Sequence, residues 1–345
     1  MLYVGLDLSR KRLDWQALDE AGARAAGGAV PPDRDGLAQL GRRLGDREVV
    51  AVIESMSGAR FVHDELELQG WEVRVADAWK ARGIAPLACK TDRIDCFVLA
   101  ELARRDLVPE VWLPDPAVRA ERERARFRSY LVRHRASLKN RIHAVLFAHG
   151  IPVASSDLFG AAGRQLLERL PLPEPWRSTV SCSLELIDSL DDEIRACERE
   201  LARLGADHRY VPLLKTCPGL GWVLAYTIAS EIGDIERFQS PRKLIGYTGL
   251  CPRVEQSGER DRRGALRKNG PTQLRWALIE AAHVAGRCHP PYQDVVERMR
   301  ARHGRPRGSN IAAIEIARRL SEAIWHMLSK NQPFAPAGAR YRLAV

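Results

Sequence analysis

Apolar and polar positions alternate in short blocks along the first hundred residues. LYVGLDL (2–8), RLDWQALD (12–19), VVAVIES (49–55) and WEVRVAD (71–77) carry the apolar runs that are typical of strands. VVAVIES is apolar throughout and ends in an acid, as a strand buried on both faces would. GGAVPPD, which follows the second of these segments, predicts a loop.

Helical spacing of apolar residues occurs between these strands, at 35–45, 59–69 and 92–105. Because strands and helices alternate, we expect an α/β domain around a mostly central sheet. The proline-bearing stretch VPEVWLPDPA (108–117) marks its end. We therefore predict three domains, at 1–115, 116–208 and 209–345.

The middle of the chain is predicted to be helical. A basic segment spans about 117–149, PLPEP (171–175) interrupts the chain, and a second helix follows. Its apolar residues are spaced 3, 4, 3, 4 and 3 apart, at Ile187, Leu190, Ile194, Cys197, Leu201 and Leu204. This spacing is the seam of a coiled coil. It indicates either a helix that pairs with a second copy or an amphipathic helix on its own core.

The last third is predicted to be mainly α-helical, with strong helices at 272–286 and 310–329. LLKTCPGLGWVLAYTIASEIG (213–233) resembles a helix-hairpin-helix module, in which loop amides and a helix N-terminus meet a phosphate. A plain turn between two helices is the alternative.

Composition and charge narrow the class of protein. The 345 residues are 45% apolar, which indicates a globular protein. We find no signal peptide, no membrane-length apolar run and no C-x-x-C pair among seven cysteines, so we expect a cytoplasmic bacterial protein without a disulfide framework or zinc site. The net charge of +10 favours polyanionic partners. Three basic clusters, at 119–141, 253–268 and 298–307, strengthen the expectation of nucleic acid.

Four acids stand where the predicted strands end or a helix begins. Asp7 and Glu54 lie at strand ends, and Asp92 and Asp95 lie three apart at a helix start, hence on one face. Convergent carboxylates repel one another unless cations neutralise them, and oxygen ligands suit Mg²⁺ or Mn²⁺. The pattern permits a two-metal site for phosphodiester chemistry. Taken singly, each acid favours a structural role, such as a helix cap or an ion pair.

The order YVGLDLS, VIES, KTDRID resembles the RuvC-like (RNase H-like) N-terminal domain of the DEDD transposases of the insertion-sequence-110 family. The stretch from CPGLG through GYTGLCPRVEQSGERDRRGALRKNGPTQLRWALIEAA resembles that family's transposase-type C-terminal domain. The resemblance covers nearly the whole chain. It implies a recombinase guided by a bridge-type RNA that acts on target and donor DNA as dimers and then a tetramer. It also implies Asp7, Glu54, Asp92 and Asp95 as the metal ligands.

The family resemblance further implies a serine nucleophile in a Ser-Gly pair, which corresponds to Ser257. Serine needs activation at neutral pH, and the surrounding cations could bind the scissile phosphate. Tyr247 is a rival nucleophile, although its apolar context favours a packed tyrosine. The candidate nucleic-acid contacts are Arg122, Arg126, Arg133 and Lys139, for guide RNA, and Arg253, Arg262, Arg263 and Lys268 around the serine.

Three other functions stay open at this point. A metal-dependent junction nuclease would use the acids with water as the nucleophile, and Ser257 would be incidental. YVGLDLS also resembles the first phosphate loop of actin-like sugar kinases, but the later glycine-rich loops of that fold are missing. A non-catalytic nucleic-acid-binding protein would need the charge but not the acids.

Overall fold

The computed structural model describes residues 1–84, 92–152, 157–257, 260–266 and 268–335, and only the backbone of residues 92–93, 254–257 and 260–263. The chain forms two compact units, Met1–Pro114 and Asp115–Val345. In the part of the chain that is described, no helix is both long and apolar enough to cross a membrane.

The first unit is built on a five-stranded sheet in the order β3-β2-β1-β4-β5. Its strands are β1 (Leu2–Leu8), β2 (Leu13–Leu18), β3 (Arg24–Val30), β4 (Val49–Glu54) and β5 (Glu72–Ala76). The first three form an antiparallel meander, whereas β1, β4 and β5 run parallel. The parallel strands therefore end at one edge of the sheet.

Helices cover the two faces of this sheet. Helices α1 (Arg34–Leu44) and α2 (Ala59–Glu67) lie on one face and share the larger core of the unit with strand residues such as Val4, Leu6 and Ile53. This core buries the apolar side of both helices, which holds them against the sheet.

The opposite face is covered by α4 (Asp92–Arg104), which packs on Val50, Val52 and Ala76. A seven-residue helix, α3 (Ala78–Ile84), follows β5. The central sheet, its flanking helices and most of their bounds agree with the α/β prediction.

The strand β3 corrects one expectation, because the sequence pattern predicted a loop at GGAVPPD. Gly27 and Gly28 lie inside this edge strand, opposite Gln16 and Trp15 of β2. Glycines carry no side chain to show the alternation of a strand. The strand forms because its backbone pairs with β2, and the local sequence does not predict this pairing.

The second unit is mainly helical. Its helices are α5 (Pro116–Ala148), α6 (Ala161–Arg169), α7 (Trp176–Ala206), α8 (Val211–Leu214), α9 (Trp222–Ile232), α10 (Pro241–Thr248), α11 (Thr272–Cys288), α12 (Pro290–His303) and α13 (Arg307–Lys330). A 3-10 turn spans Ile235–Arg237, and an antiparallel hairpin joins β6 (Pro252–Ser257) to β7 (Arg260–Leu266). The sequence pattern did not predict this hairpin.

The helices α5 and α7 pack against each other as an antiparallel pair. Arg128 Nε donates to Glu198 at 3.0 Å near one end, and Arg135 pairs with Asp191 further along. The seam residues Ile187, Ile194 and Leu201 are buried. The seam therefore packs within the chain, and the interpretation of α7 as a self-pairing helix is wrong for these residues, because their apolar face is already covered.

The predicted helix-hairpin-helix segment forms a single short turn of helix, α8, a tight turn and α9. Gly219 has a φ of +85°, and a methyl group there would come within 2.3 Å of the carbonyl oxygen of Ala281 on α11. The loop is thus packed on α11 at this glycine. Cys217 and Leu220, on either side, are buried in the main core of the unit.

Candidate functional site

Two of the predicted acids end neighbouring parallel strands. Leu6 of β1 pairs with Ile53 of β4, so Asp7 and Glu54 are the next residues of their strands. The alternation of each strand puts both acids on the face that α4 covers, since their neighbours Leu6 and Ile53 belong to the opposite core. Adjacent strands lie about 4.8 Å apart, so the two acids are close neighbours.

Helix α4 brings Asp95 to the same face. The helix approaches β1 closely because Gly5 has no side chain: a methyl group there would lie 1.8 Å from the carbonyl oxygen of Cys96. Burial, together with the nearby charges of Asp7, Asp14 and Asp95, raises the pKa of the Cys96 thiol to about 12. Asp95 is thus on the side of the sheet that carries Asp7 and Asp14.

Asp92 begins α4, but its side chain lies outside the described residues. Among the side chains that are described, no three His, Cys, Asp or Glu groups are close enough to hold a metal ion. Asp7, Glu54 and Asp95 alone therefore do not form a compact ligand set. The donors at this edge are carboxylate oxygens, which is the chemistry that Mg²⁺ and Mn²⁺ prefer.

Asp14 is an acid of this face that the sequence pattern did not single out. It lies on β2 directly opposite Asp7. Arg12 holds it through hydrogen bonds of 3.0 Å from Nε and 2.7 Å from Nη2 to Oδ1. Only the antiparallel register reveals this neighbour, because spacing along the chain does not show which residues of a meander face each other.

Ser257 is the last residue of β6 and pairs with Arg260 of β7. The side chain of Ser257 and residues 258–259 lie outside the described part of the structure. The base of the hairpin is fixed: Arg318 Nε of α13 donates to the carbonyl oxygen of Leu250 at 2.9 Å. Gly270 lies against the carbonyl oxygen of Tyr247, where a methyl group would come within 1.8 Å.

Two models of transposase families match the chain. A transposase model of the DEDD type matches residues 4–150, which include the four acids, and the model of the transposase IS116/IS110/IS902 family matches residues 211–297, which include Ser257. Together these matches support an IS110/IS116-type DEDD transposase. The chain is an enzyme of the DNA transposase and recombinase class.

Relatives with assigned names agree with this class. A probable family 20 transposase of Pseudomonas aeruginosa is 29% identical over 72% of this chain and 74% of its own length. The transposase for insertion sequence element IS1328 of Yersinia enterocolitica is 26% identical over 83% of this chain and 85% of its own. A pilin gene-inverting protein of Moraxella bovis is 34% identical over 37% of this chain and 39% of its own length.

Two of the predicted nucleic-acid contacts, Arg122 and Arg126, have partners in the core of the transposase. Arg122 is buried and donates from Nε to the carbonyl oxygen of Ser230 at 2.9 Å and from Nη2 to that of Glu231 at 2.7 Å. Arg126 binds both carboxylate oxygens of Glu231, at 2.8 and 2.9 Å, and Glu231 is fully buried. Both arginines were predicted as guide-RNA contacts; these contacts neutralise a buried acid and cap the end of α9, and the role in RNA binding stays a prediction.

The other predicted contacts lie in different surroundings. Arg133 is exposed on α5, and Lys139 lies over the ring of Phe159, with Nζ 4.7 Å from its centre. Arg253 and Lys268 are exposed at the base of the β6–β7 hairpin. The side chains of Arg262 and Arg263, on β7, lie outside the described residues. Their roles stay predictions.

Tyr247, the rival nucleophile, is packed. Its ring centre lies 5.2 Å from that of Phe238 and 4.3 Å from the guanidinium carbon of Arg237. Its hydroxyl accepts a 3.4 Å hydrogen bond from Arg122. These contacts are those of a structural tyrosine.

Three rings on α5 lie among its basic residues and form an aromatic ladder, which the charge pattern did not predict. They belong to Phe127, Tyr130 and His134. The rings of Phe127 and Tyr130 are stacked with centres 6.3 Å apart, and Tyr130 meets His134 edge-on at 4.2 Å. Phe127 and Tyr130 are each about half exposed, at 48% and 49%. Exposed rings between arginines are typical of surfaces on which unpaired bases stack. The spacing 127, 130, 134 was available in the sequence.

Proposed function

We propose that the transposase cuts and rejoins DNA with Asp7, Glu54, Asp92 and Asp95 as its acidic centre and Ser257 as its nucleophile. The observation that carries this proposal is the placement of Asp7 and Glu54 at the ends of adjacent parallel strands, beneath the helix that bears Asp92 and Asp95. The sheet order, with a three-stranded meander beside two parallel strands, supports a RuvC-like fold for this unit.

The acids would hold Mg²⁺ or Mn²⁺, which would supply charge neutralisation at the scissile phosphate and ease deprotonation of a hydroxyl. The residues of the chain have their own tasks. Asp7 and Glu54 are fixed by the sheet, and Asp95 is fixed by the close approach of α4 to Gly5. A rigid set of acids needs little rearrangement when the substrate binds.

The serine step is a phosphoryl transfer. The Ser257 hydroxyl would give up its proton as its oxygen forms a bond to phosphorus. The bond from phosphorus to a sugar oxygen would break, and that sugar oxygen would take up a proton and leave as a hydroxyl. Arg253 and Lys268, exposed near the base of the same hairpin, are available to neutralise the phosphate. Attack by a second strand's hydroxyl on the phosphoserine would restore the serine and join the new strands.

The family resemblance supplies the further proposal of a bridge-type guide RNA and of dimers that assemble into a tetramer. The exposed aromatic ladder and Arg133 on α5 support contact between this helix and unpaired bases of nucleic acid. The oligomer rests on the resemblance alone, because the seam of α7 packs against α5.

Strand exchange in vitro tests the proposal. Purified protein, Mg²⁺, RNA transcribed from the flanks of its own gene and matching DNA would be combined, and wild type compared with Ser257→Ala, Asp92→Ala and Glu54→Gln. We expect all three variants to lack strand exchange, and only wild type to form a covalent protein–DNA adduct. If Ser257→Ala cuts DNA as wild type does while the acid variants are inactive, the protein is a metal-dependent nuclease and the serine mechanism is wrong.

A further inference from the structure

A polar cavity of about 230 Å³ lies beside the acidic centre in the first unit. Strands β2 and β3 form its wall, and Cys96 of α4 lines it from the other side. Its polar side chains are Arg12, Asp14, Gln16 and Arg24. None of them belongs to the four predicted acids.

The two arginines of this cavity differ in their surroundings. Asp14 fixes Arg12 through the two hydrogen bonds described above. Arg24 lies along β3 over Gly27: a methyl group at Gly27 would come within 2.7 Å of its Nη2 atom. The guanidinium group of Arg24 therefore lies over the backbone of β3 at Gly27.

The cavity adjoins the acidic centre through Asp14. Asp14 is the cross-strand partner of Asp7, so one wall of the cavity is next to the first of the catalytic acids. Residues directly opposite on antiparallel strands have Cα atoms about 4.5–5.5 Å apart. Successive phosphates of a nucleic-acid strand are a few ångströms apart, so a strand with one phosphate at Asp7 brings the next within reach of this cavity.

Charge decides which part of a substrate would bind there. An acidic centre attracts a phosphate only where cations neutralise it, and its carboxylates repel the phosphates on either side. Arg12 and Arg24 place two positive charges in the cavity beside Asp14, next to Asp7, where they offset this repulsion. Guanidinium groups are well suited to binding phosphate.

We infer that this cavity binds a phosphodiester group of the nucleic-acid strand that flanks the scissile phosphate, with Arg24 and Arg12 as its ligands and Asp14 as the residue that positions Arg12. The inference rests on the proposed function for the placement of the scissile phosphate. The binding of a nucleic-acid phosphate by the two arginines is a separate property that can be measured without any cutting.

Binding of a labelled 20-nucleotide single-stranded DNA of mixed sequence, with Ca²⁺ in place of Mg²⁺ to neutralise the acids and over a range of KCl concentrations, provides the test. Wild type would be compared with Arg24→Gln, Arg12→Gln and the control Arg34→Gln. Arg34 is an exposed arginine of α1 that pairs with Glu65 and does not line the cavity. Thermal unfolding of each variant checks that the fold is kept.

We expect Arg24→Gln and Arg12→Gln each to weaken binding by about 3- to 10-fold at low salt and to lower the slope of log K against log [KCl] by about 0.7, the value for one single-strand phosphate contact. Arg34→Gln should bind like wild type. An unchanged slope in the folded Arg24→Gln protein overturns the inference, whether or not affinity falls. If wild type fails to exchange strands, only the proposed function is overturned, because the DNA-binding assay involves no catalysis.

Discussion

Gly5 lies directly beneath the carbonyl oxygen of Cys96, so close that a methyl group on Gly5 would come within 1.8 Å of that oxygen. The obstacle is backbone on both sides, and it cannot rotate away as a side chain would. Gly5→Ala must therefore displace α4 from β1, and with it Asp95. We expect the free energy of unfolding to fall by about 1–3 kcal/mol and strand exchange to be lost. Urea denaturation and the strand-exchange assay measure the two effects.

Gly83→Ala is the matched control for this substitution. Gly83 lies within α3 of the same unit, and the space around its Cβ position is open. Alanine favours helix over glycine by up to about 1 kcal/mol, so this variant should be as stable as wild type or more so. Equal stability of Gly5→Ala and wild type would show that α4 is not held against β1 as described.

The ion pair between Arg126 and Glu231 predicts that Arg126→Ala lowers the stability of the protein. Arg126→Ala leaves a fully buried carboxylate with only the more distant Arg122, whose Nε is 3.7 Å away. We expect the free energy of unfolding to fall by about 2–4 kcal/mol, in the range for breaking a buried pair, reduced because Arg126 is half exposed. Urea denaturation of the full chain measures it.

Arg133→Ala, an exposed arginine on the same helix, separates structure from nucleic-acid binding. It should leave stability within about 0.5 kcal/mol of wild type. A result in which Arg126→Ala keeps full stability but loses affinity for DNA or RNA would restore Arg126 to the set of phosphate contacts.

The ladder on α5 predicts that Tyr130→Ala weakens binding of unpaired nucleic acid. Stacking of a base on an aromatic side chain contributes about 1–3 kcal/mol, so we expect a loss of affinity of about 5-fold or more. Tyr130→Phe should keep most of the affinity, because it keeps the ring. Fluorescence anisotropy with labelled single-stranded RNA measures both variants. A change in molecular mass by light scattering, with unchanged affinity, would instead assign the ladder to a protein interface.

The cysteines of the second unit test whether the turn before α9 stays packed. Burial raises the pKa of the Cys217 thiol to about 12, whereas Cys182 and Cys288 are exposed. Because the thiolate is the reactive form, iodoacetamide at pH 8 should modify Cys182 and Cys288 and leave Cys217 intact. Mass spectrometry of the peptides measures this. Rapid modification of Cys217 would mean that the turn opens and exposes its backbone amides.

The acids at the strand ends were predictable because the pattern itself determines their place. A continuous apolar run such as VVAVIES ends where the sheet ends, so Glu54 follows from periodicity, and so does Asp7. Asp92 and Asp95 follow from helical spacing. The positions of these acids depend on local sequence. The structure places Asp7, Glu54 and Asp95, whose side chains are described, on one face of the sheet.

Asp14, Arg12 and Arg24 could not be found in this way, because their proximity to Asp7 depends on the register of a meander whose third strand contains Gly27 and Gly28. The basic segment at 119–141 shows a related limit of the sequence pattern. Charge alone does not distinguish Arg122, which faces a buried acid from a distant helix, from Arg133, which faces solvent. The distinction depends on contacts between residues more than a hundred positions apart.

The antiparallel arrangement of α5 and α7 has a consequence for how the second unit can vary in size. Ala125 of α5 belongs to the main core, whereas Ile142 of the same helix belongs to a separate core near the other end. The two cores are about 25 Å apart along the helix axis, at 1.5 Å per residue. Removing seven residues from each helix between them would keep the packed faces in phase and bring the cores about 10 Å closer. The length of this helix pair can therefore change in steps of a heptad. Such a change leaves the main core, which includes Leu250 before the hairpin of Ser257, unaltered.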